Sequence, residues 1–233
     1  MTKSFFLLFA GVFPSLSVFS YMVLARDPGS VPAFYALSKL VQLALPFIWI
    51  YAFREPAPRL WRWDKADVLE GIATGFAMLV GLWALYAFVL HQLPVVQAAK
   101  PLIQAKVDAF GAGTPFRFLA LCLFISVVHS LFEEFYWRAF LHHELEKRMR
   151  FLPALILSSL GFTGHHIVVI AQYVDPGSSA AWVVLLSAFV FVAGAIWAFQ
   201  YRRRQSLWGV WISHCYADIA ILSLGYLLLF ASV

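Results

Sequence analysis

The sequence predicts an all-α fold: a polytopic membrane helical bundle of about seven (six to eight) transmembrane helices. Three observations carry this expectation. Only 12% of the 233 residues are charged and 62% are hydrophobic, whereas a soluble domain carries about 25% charged residues. The apolar residues come in runs of about 20, the length that crosses ~30 Å of hydrocarbon. The basic residues gather at the ends of those runs, as the positive-inside rule requires. The net charge of +5 is therefore read as loop charge, with no nucleic-acid partner, and residues 1–233 as one integral membrane domain.

In chain order the expected spans are 4–25, 33–53, 68–90, 116–141, 152–173, 180–200 and 206–231. Pro14 and Pro46 interrupt the first two, which neighbouring helices tolerate. The first span lacks a small-residue cleavage site and is expected to be a retained helix. The connection from His91 to Pro115 mixes Lys100, Lys106 and Asp108 with apolar residues, the pattern of a short amphipathic segment on the surface. The turn at Asp175–Ser179, DPGSS, separates the fifth and sixth spans. Cys122 and Cys215 lie inside spans with no metal or disulfide spacing and are expected to be buried packing residues.

Loop charge sets the expected orientation. Arg54, Arg59, Arg62 and Lys65 follow span two; Lys147, Arg148 and Arg150 follow span four; Arg202, Arg203 and Arg204 follow span six. The opposite loops hold Arg26, Lys100, Lys106 and, at a span edge, Arg117. The basic side is expected in the cytoplasm, with the N-terminus inside and the C-terminus outside.

Ionisable groups inside a bilayer cost about 2.5–3.5 kcal/mol each on insertion scales and are functional candidates by default. Here they gather in three spans: His129, Glu133, Glu134 and Arg138 in the fourth, His165 and His166 in the fifth, His214 and Asp218 in the seventh. The other spans have almost none in their interiors. Glu134 and Arg138 are four apart and share a helix face, so they can pair. Glu133 points about 100° away, with His129 on its own side. Left without a cation and partly desolvated, Glu133 suits a general base. By residue counting, Glu133 and His214 lie ~12 Å from the cytoplasmic ends of their spans and His166 ~20 Å. His129 and His165 are read as cavity lining or supporting residues rather than direct catalysts, and His142 and His143 as ordinary interfacial residues.

Taken in order, three stations resemble the CPBP family, which includes the CAAX-processing and bacteriocin-processing endopeptidases and Abi proteins. Its EExxxR motif reads here as Glu133-Glu134-Phe135-Tyr136-Trp137-Arg138; its FxxxH motif as FTGHH, with Phe162 and His166; its HxxxN motif as His214-Cys215-Tyr216-Ala217-Asp218. The resemblance covers roughly residues 118–225. It implies a glutamate-dependent intramembrane endopeptidase acting near the cytoplasmic face, with Glu133 and His166 activating water and His214 and Asp218 on the oxyanion side. Glu134, Arg138, His129, His165 and Phe162 would support them. Expected partners are membrane lipids and a peptide or protein with a membrane-associated, prenylated or leader-type segment, in a bacterial-type plasma (inner) membrane.

Position 218 departs from the pattern. Asparagine donates N–H groups, whereas an ionised aspartate only accepts; Asp218 is expected either to donate when protonated or to orient His214. The change also opens a metal set, Glu133, His166, His214 and Asp218, for an ion such as zinc. No HExxH is present, since Lys147 stands where the second histidine would be, so a metal-free mechanism is favoured. Two other classes compete: a catalytically silent scaffold or immunity-type protein, and a proton- or ion-coupled transporter. The absence of related halves weighs against the transporter.

Overall fold

A computed structural model describes residues 2–25, 27, 29–58, 60–175, 177 and 180–231. Arg26, Arg59 and the Pro176, Ser178 and Ser179 of the expected turn lie outside the described residues. No strand occurs among the described residues. Among the described residues, seven helices are long and apolar enough to span a membrane: α1 (Lys3–Leu24), α2 (Val31–Phe53), α3 (Lys65–Gln92), α5 (Pro115–Glu146), α6 (Phe151–Ala171), α7 (Ala180–Arg204) and α8 (Trp208–Phe230). A shorter helix, α4 (Pro94–Ala109), fills the expected amphipathic connection. It buries Val95 and Val107, and Lys106 donates to the Met22 carbonyl at 2.8 Å. The protein is an integral, multi-pass membrane protein.

Helix ends follow local chemistry. Thr2 caps α1 through the Phe5 amide at 3.3 Å, Asp64 caps α3 through Ala66 at 2.9 Å, and Thr114 caps α5, with Pro115 in its first turn. The α2 helix stops where Arg54 turns left-handed at φ 53.

The longest contact runs between α3 and α8, and its cause is a pair of glycines one turn apart. A Cβ on Gly71 would lie 2.6 Å from the Cα of Gly209, and one on Gly75 would lie 2.9 Å from the Cα of Ser213. Small residues at i and i+4 let two backbones approach this closely in a membrane. Ser213 precedes His214, so this contact helps set where the α8 histidine stands.

The second half of α5 is enclosed on all sides. Every residue from Tyr136 to His142 is buried, as expected of a helix at the centre of a bundle. The Tyr136 hydroxyl donates to the Ala10 carbonyl at 2.6 Å. Two π-helical stretches, Phe124–His129 and Phe135–His142, flank the turn that carries the two glutamates; such widened turns re-aim side chains and recur at functional sites.

The α5 helix runs on to Glu146, beyond the expected end at 141. His142 is consequently no interfacial residue: it is fully buried, with Nδ1 3.2 Å from Ser158 Oγ. Cys122 and Cys215 are half-buried rather than buried, and free; Cys215 Sγ lies 3.6 Å from Ser130 Oγ.

One end of the bundle gathers the charged loops. Glu55 meets Lys3 at 2.7 Å and Arg148 at 3.0 Å; Glu146 meets Arg202 at 3.1 Å; Glu70 meets Arg203 at 3.1 Å and Arg204 at 2.7 Å. These pairs bring the start of α1 and the α2–α3, α5–α6 and α7–α8 connections to one side, as the span count requires.

Candidate active site

The polar residues of α5, α6 and α8 converge in the core, and α2 adds two more. Glu133 and Glu134, adjacent on α5, are both buried and serve different partners.

The Glu133 carboxylate is held by one oxygen. Oε1 lies 3.1 Å from His129 Nε2 and 3.1 Å from His165 Nε2, with Lys39 Nζ at 4.0 Å. Oε2 faces His214 Nε2 at 3.8 Å. One expectation changes here. Glu133 is not without a cation, because Lys39 of α2 stands beside it in a span read as having almost no ionisable residue. His129 and His165 both bond the carboxylate directly, the contact expected of supporting residues.

The ligand atoms of Glu133, His165 and His166 all lie within 4.8 Å of one another. His166 Nδ1 lies 2.9 Å from the Phe162 carbonyl, so that nitrogen carries the proton and Nε2 keeps its lone pair. Phe162 separates the stations: its ring packs 4.5 Å from His166, 5.3 Å from His165 and 6.0 Å from His214, with the Arg138 guanidinium 4.5 Å from its centroid.

Glu134 pairs with Arg138 at 3.2 Å, as their spacing predicts, and also accepts from His214 Nδ1 at 2.7 Å. Arg138 is tied in turn to the Gly194 carbonyl at 3.2 Å. His214 stacks on Trp197, centroids 4.1 Å apart at 17°. Asp218 Oδ1 lies 3.7 Å from His214 Nε2. The close carboxylate partner of His214 is therefore Glu134 rather than Asp218. The tightest ligand grouping among the described residues pairs Glu133 with His165 and His166, not with His166, His214 and Asp218.

Counting depth along single helices misjudged the level of the site. Because α5 reaches Glu146, Glu133 lies ~20 Å from that helix end rather than ~12 Å. The side chains meet nonetheless: His214 Nε2 lies 3.8 Å from Glu133 Oε2.

Beside His129 opens an apolar chamber of about 470 Å³, lined among others by Tyr35, Tyr86, Ile103, Phe110, Phe118 and Leu222. Its walls come from α4, the ends of α1, α3, α6 and α8 and the starts of α2 and α5. It thus approaches the site from the end away from the basic loops.

An enclosed carboxylate–imidazole cluster in the core of a helical bundle can hold and move a proton. Residues 115–220 match the family model described as Rce1-like, type II CAAX prenyl endopeptidase; the matched stretch contains all three motifs and agrees with the family they resemble. Comparisons with curated proteins and with solved structures return no match.

Proposed function

We propose that the protein is a glutamate-type intramembrane endopeptidase that cleaves a lipid-bearing, CAAX-type peptide. The observation that carries this reading is the asymmetry of the Glu133 carboxylate. Two imidazoles fix Oε1, which leaves Oε2, on the His214 side, to take a proton. In this reading Glu133 Oε2 and the lone pair of His166 Nε2 hold and deprotonate a water. The water oxygen bonds to the scissile carbonyl carbon, the C–N bond then breaks, and the proton passes from Glu133 to the leaving amine. With Nδ1 committed to Glu134, His214 donates to the oxyanion through Nε2 as an imidazolium. Glu134, at 2.7 Å, supplies the counter-charge.

The chamber supports a lipid-bearing substrate, since an apolar space beside a polar cluster suits a chain attached near the cleaved bond. With the basic loops cytoplasmic, as their charge predicts, the chamber lies on the far side of the site from the cytoplasm, where it would receive a lipid chain from within the bilayer. A cysteine substituted for exposed Lys100 in a background lacking Cys122 and Cys215, labelled from outside intact cells, decides the orientation.

The test of the activity is an internally quenched farnesylated peptide in proteoliposomes. Wild-type protein cuts it and Glu133→Gln, present at equal level, does not; a Glu133→Gln protein that cuts normally ends the reading. A second reading rests on the grouping of Glu133, His165 and His166, which can hold a divalent ion such as zinc. Stoichiometric zinc in the purified protein, lost together with activity in His165→Ala, would favour it.

A further inference from the structure

The α2 helix lies outside the segment that matches the protease family, yet it sends two polar side chains to the base. Tyr35 and Lys39 are four residues apart and share one face. The Tyr35 hydroxyl is 2.8 Å from His129 Nδ1, and the two rings stack at 6.1 Å and 22°. Tyr21 and Phe110 clamp the Tyr35 ring edge-on at 5.5 and 6.1 Å. Lys39 extends past that ring, 5.8 Å from its centroid, bonds Gln42 Oε1 at 3.1 Å and ends 4.0 Å from Glu133 Oε1.

The bonding is directional. His129 Nε2 faces a carboxylate oxygen at 3.1 Å, so it must carry the proton. In the neutral ring Nδ1 is then the acceptor, and the Tyr35 O–H donates to it. Tyr35 thereby fixes the tautomer and tilt of the ring that holds Oε1. Arg138 is engaged by Glu134, which leaves Lys39 as the non-histidine cation nearest Glu133 among the described residues.

The structure assigns Tyr35 and Lys39 as positioning residues: through His129 and directly, they lock the Glu133 carboxylate with Oε1 held and Oε2 presented to the reaction. This rests on Glu133 being the base. Lys39 does not line the chamber, so its part of the lock acts on the chemical step and leaves substrate binding alone; a 1 Å misplacement of a reacting group costs up to about 100-fold in rate.

The experiment uses the full chain in proteoliposomes with the quenched farnesylated peptide, and thermal unfolding to compare the folded state of each variant. Lys39→Met is expected to lower kcat about 10- to 100-fold with KM unchanged, and Tyr35→Phe about 3- to 10-fold; Lys39→Arg restores most of the loss. Histidine side-chain ¹⁵N spectra of the protein in detergent, with His129 assigned by His129→Gln, give a readout independent of turnover. The Nδ1 resonance moves downfield in Tyr35→Phe as the nitrogen loses its donor. A Lys39→Met enzyme with wild-type kcat, a loss lying wholly in KM, or a His129 Nδ1 resonance unmoved by Tyr35→Phe overturns the assignment. Where the wild type does not cut the peptide, the ¹⁵N shift decides the lock by itself. A Glu133→Gln enzyme as active as wild type ends the protease reading without touching that shift.

Discussion

His214 Nδ1 donates to Glu134 Oε1 across 2.7 Å, from α8 to α5, and both residues are buried. The same carboxylate pairs with Arg138, so one glutamate holds both the cation of its own helix and the imidazole of another. Removing one partner of a buried pair strands the other charge, at about 3–5 kcal/mol. Arg138→Ala and Glu134→Ala are expected to unfold at clearly lower temperature in detergent. Glu134→Gln keeps the shape and still accepts from His214, so it stays folded while kcat falls about 10- to 100-fold as the imidazolium loses its counter-charge. Equal kcat in Glu134→Gln and wild type would remove the link between the two residues.

Asp218 contrasts with Glu134. Its Oδ1 stands 3.7 Å from His214 Nε2, beyond hydrogen-bond reach, and its Oδ2 has no hydrogen-bond partner among the described residues. An asparagine there supplies the N–H donor that an ionised aspartate lacks. Asp218→Asn is expected to keep or raise kcat, and Asp218→Ala to lower it about 10-fold or more. A loss in Asp218→Asn as large as in Asp218→Ala would mean that the negative charge at 218 is what matters.

The spans, the short α4 and the Glu134–Arg138 pair were legible because each is a local pattern: apolar length, amphipathic spacing, an i, i+4 step. The meeting of α5, α6 and α8 was legible as a shared excess of buried polarity. Lys39 carried a readable signal, an isolated lysine within span two, but nothing local says that it reaches a glutamate 94 positions on. His165 and His166 are neighbours about 100° apart on one helix, so which of them bonds Glu133 Oε1 depends on tertiary packing, such as that of Trp137 against His165, whose rings stack nearly parallel with centroids 5.5 Å apart. His142 was misread because a π-helical stretch carries α5 past its expected end.

Glu55 lies outside the spans and ties the α2–α3 and α5–α6 connections and the start of α1 together at the charged end. The hydrogen bond from Lys3 holds its carboxyl below the ordinary value of 4.5; burial opposes this, and the charges of Lys3, Lys147 and Arg148 add to it. A carboxyl depressed in the folded state contributes stability above its unfolded value and loses it as pH falls through the folded one. Wild-type protein is therefore expected to lose thermal stability on acidification below about pH 4.5 more steeply than Glu55→Gln. The gap between them, in favour of wild type at neutral pH, closes in acid. Parallel melting-temperature curves for the two proteins would show that Glu55 contributes nothing there.

The glycines of α3 test how fold and site are joined. A side chain at Gly71 runs into the backbone of Gly209, and one at Gly75 into Ser213 and Tyr216. Neither neighbour is the end of a flexible side chain, so the helices must separate. Overpacking typically costs about 1–3 kcal/mol. Gly71→Val and Gly75→Val are expected to melt at lower temperature and to lose peptide cleavage more than they lose stability, because moving α8 withdraws His214 from Glu134. Gly81, on the same helix with nothing within 4 Å of an added Cβ, is the control: Gly81→Val should melt and cut like wild type. Equal behaviour of all three variants would mean that the close α3–α8 crossing does not set the position of His214.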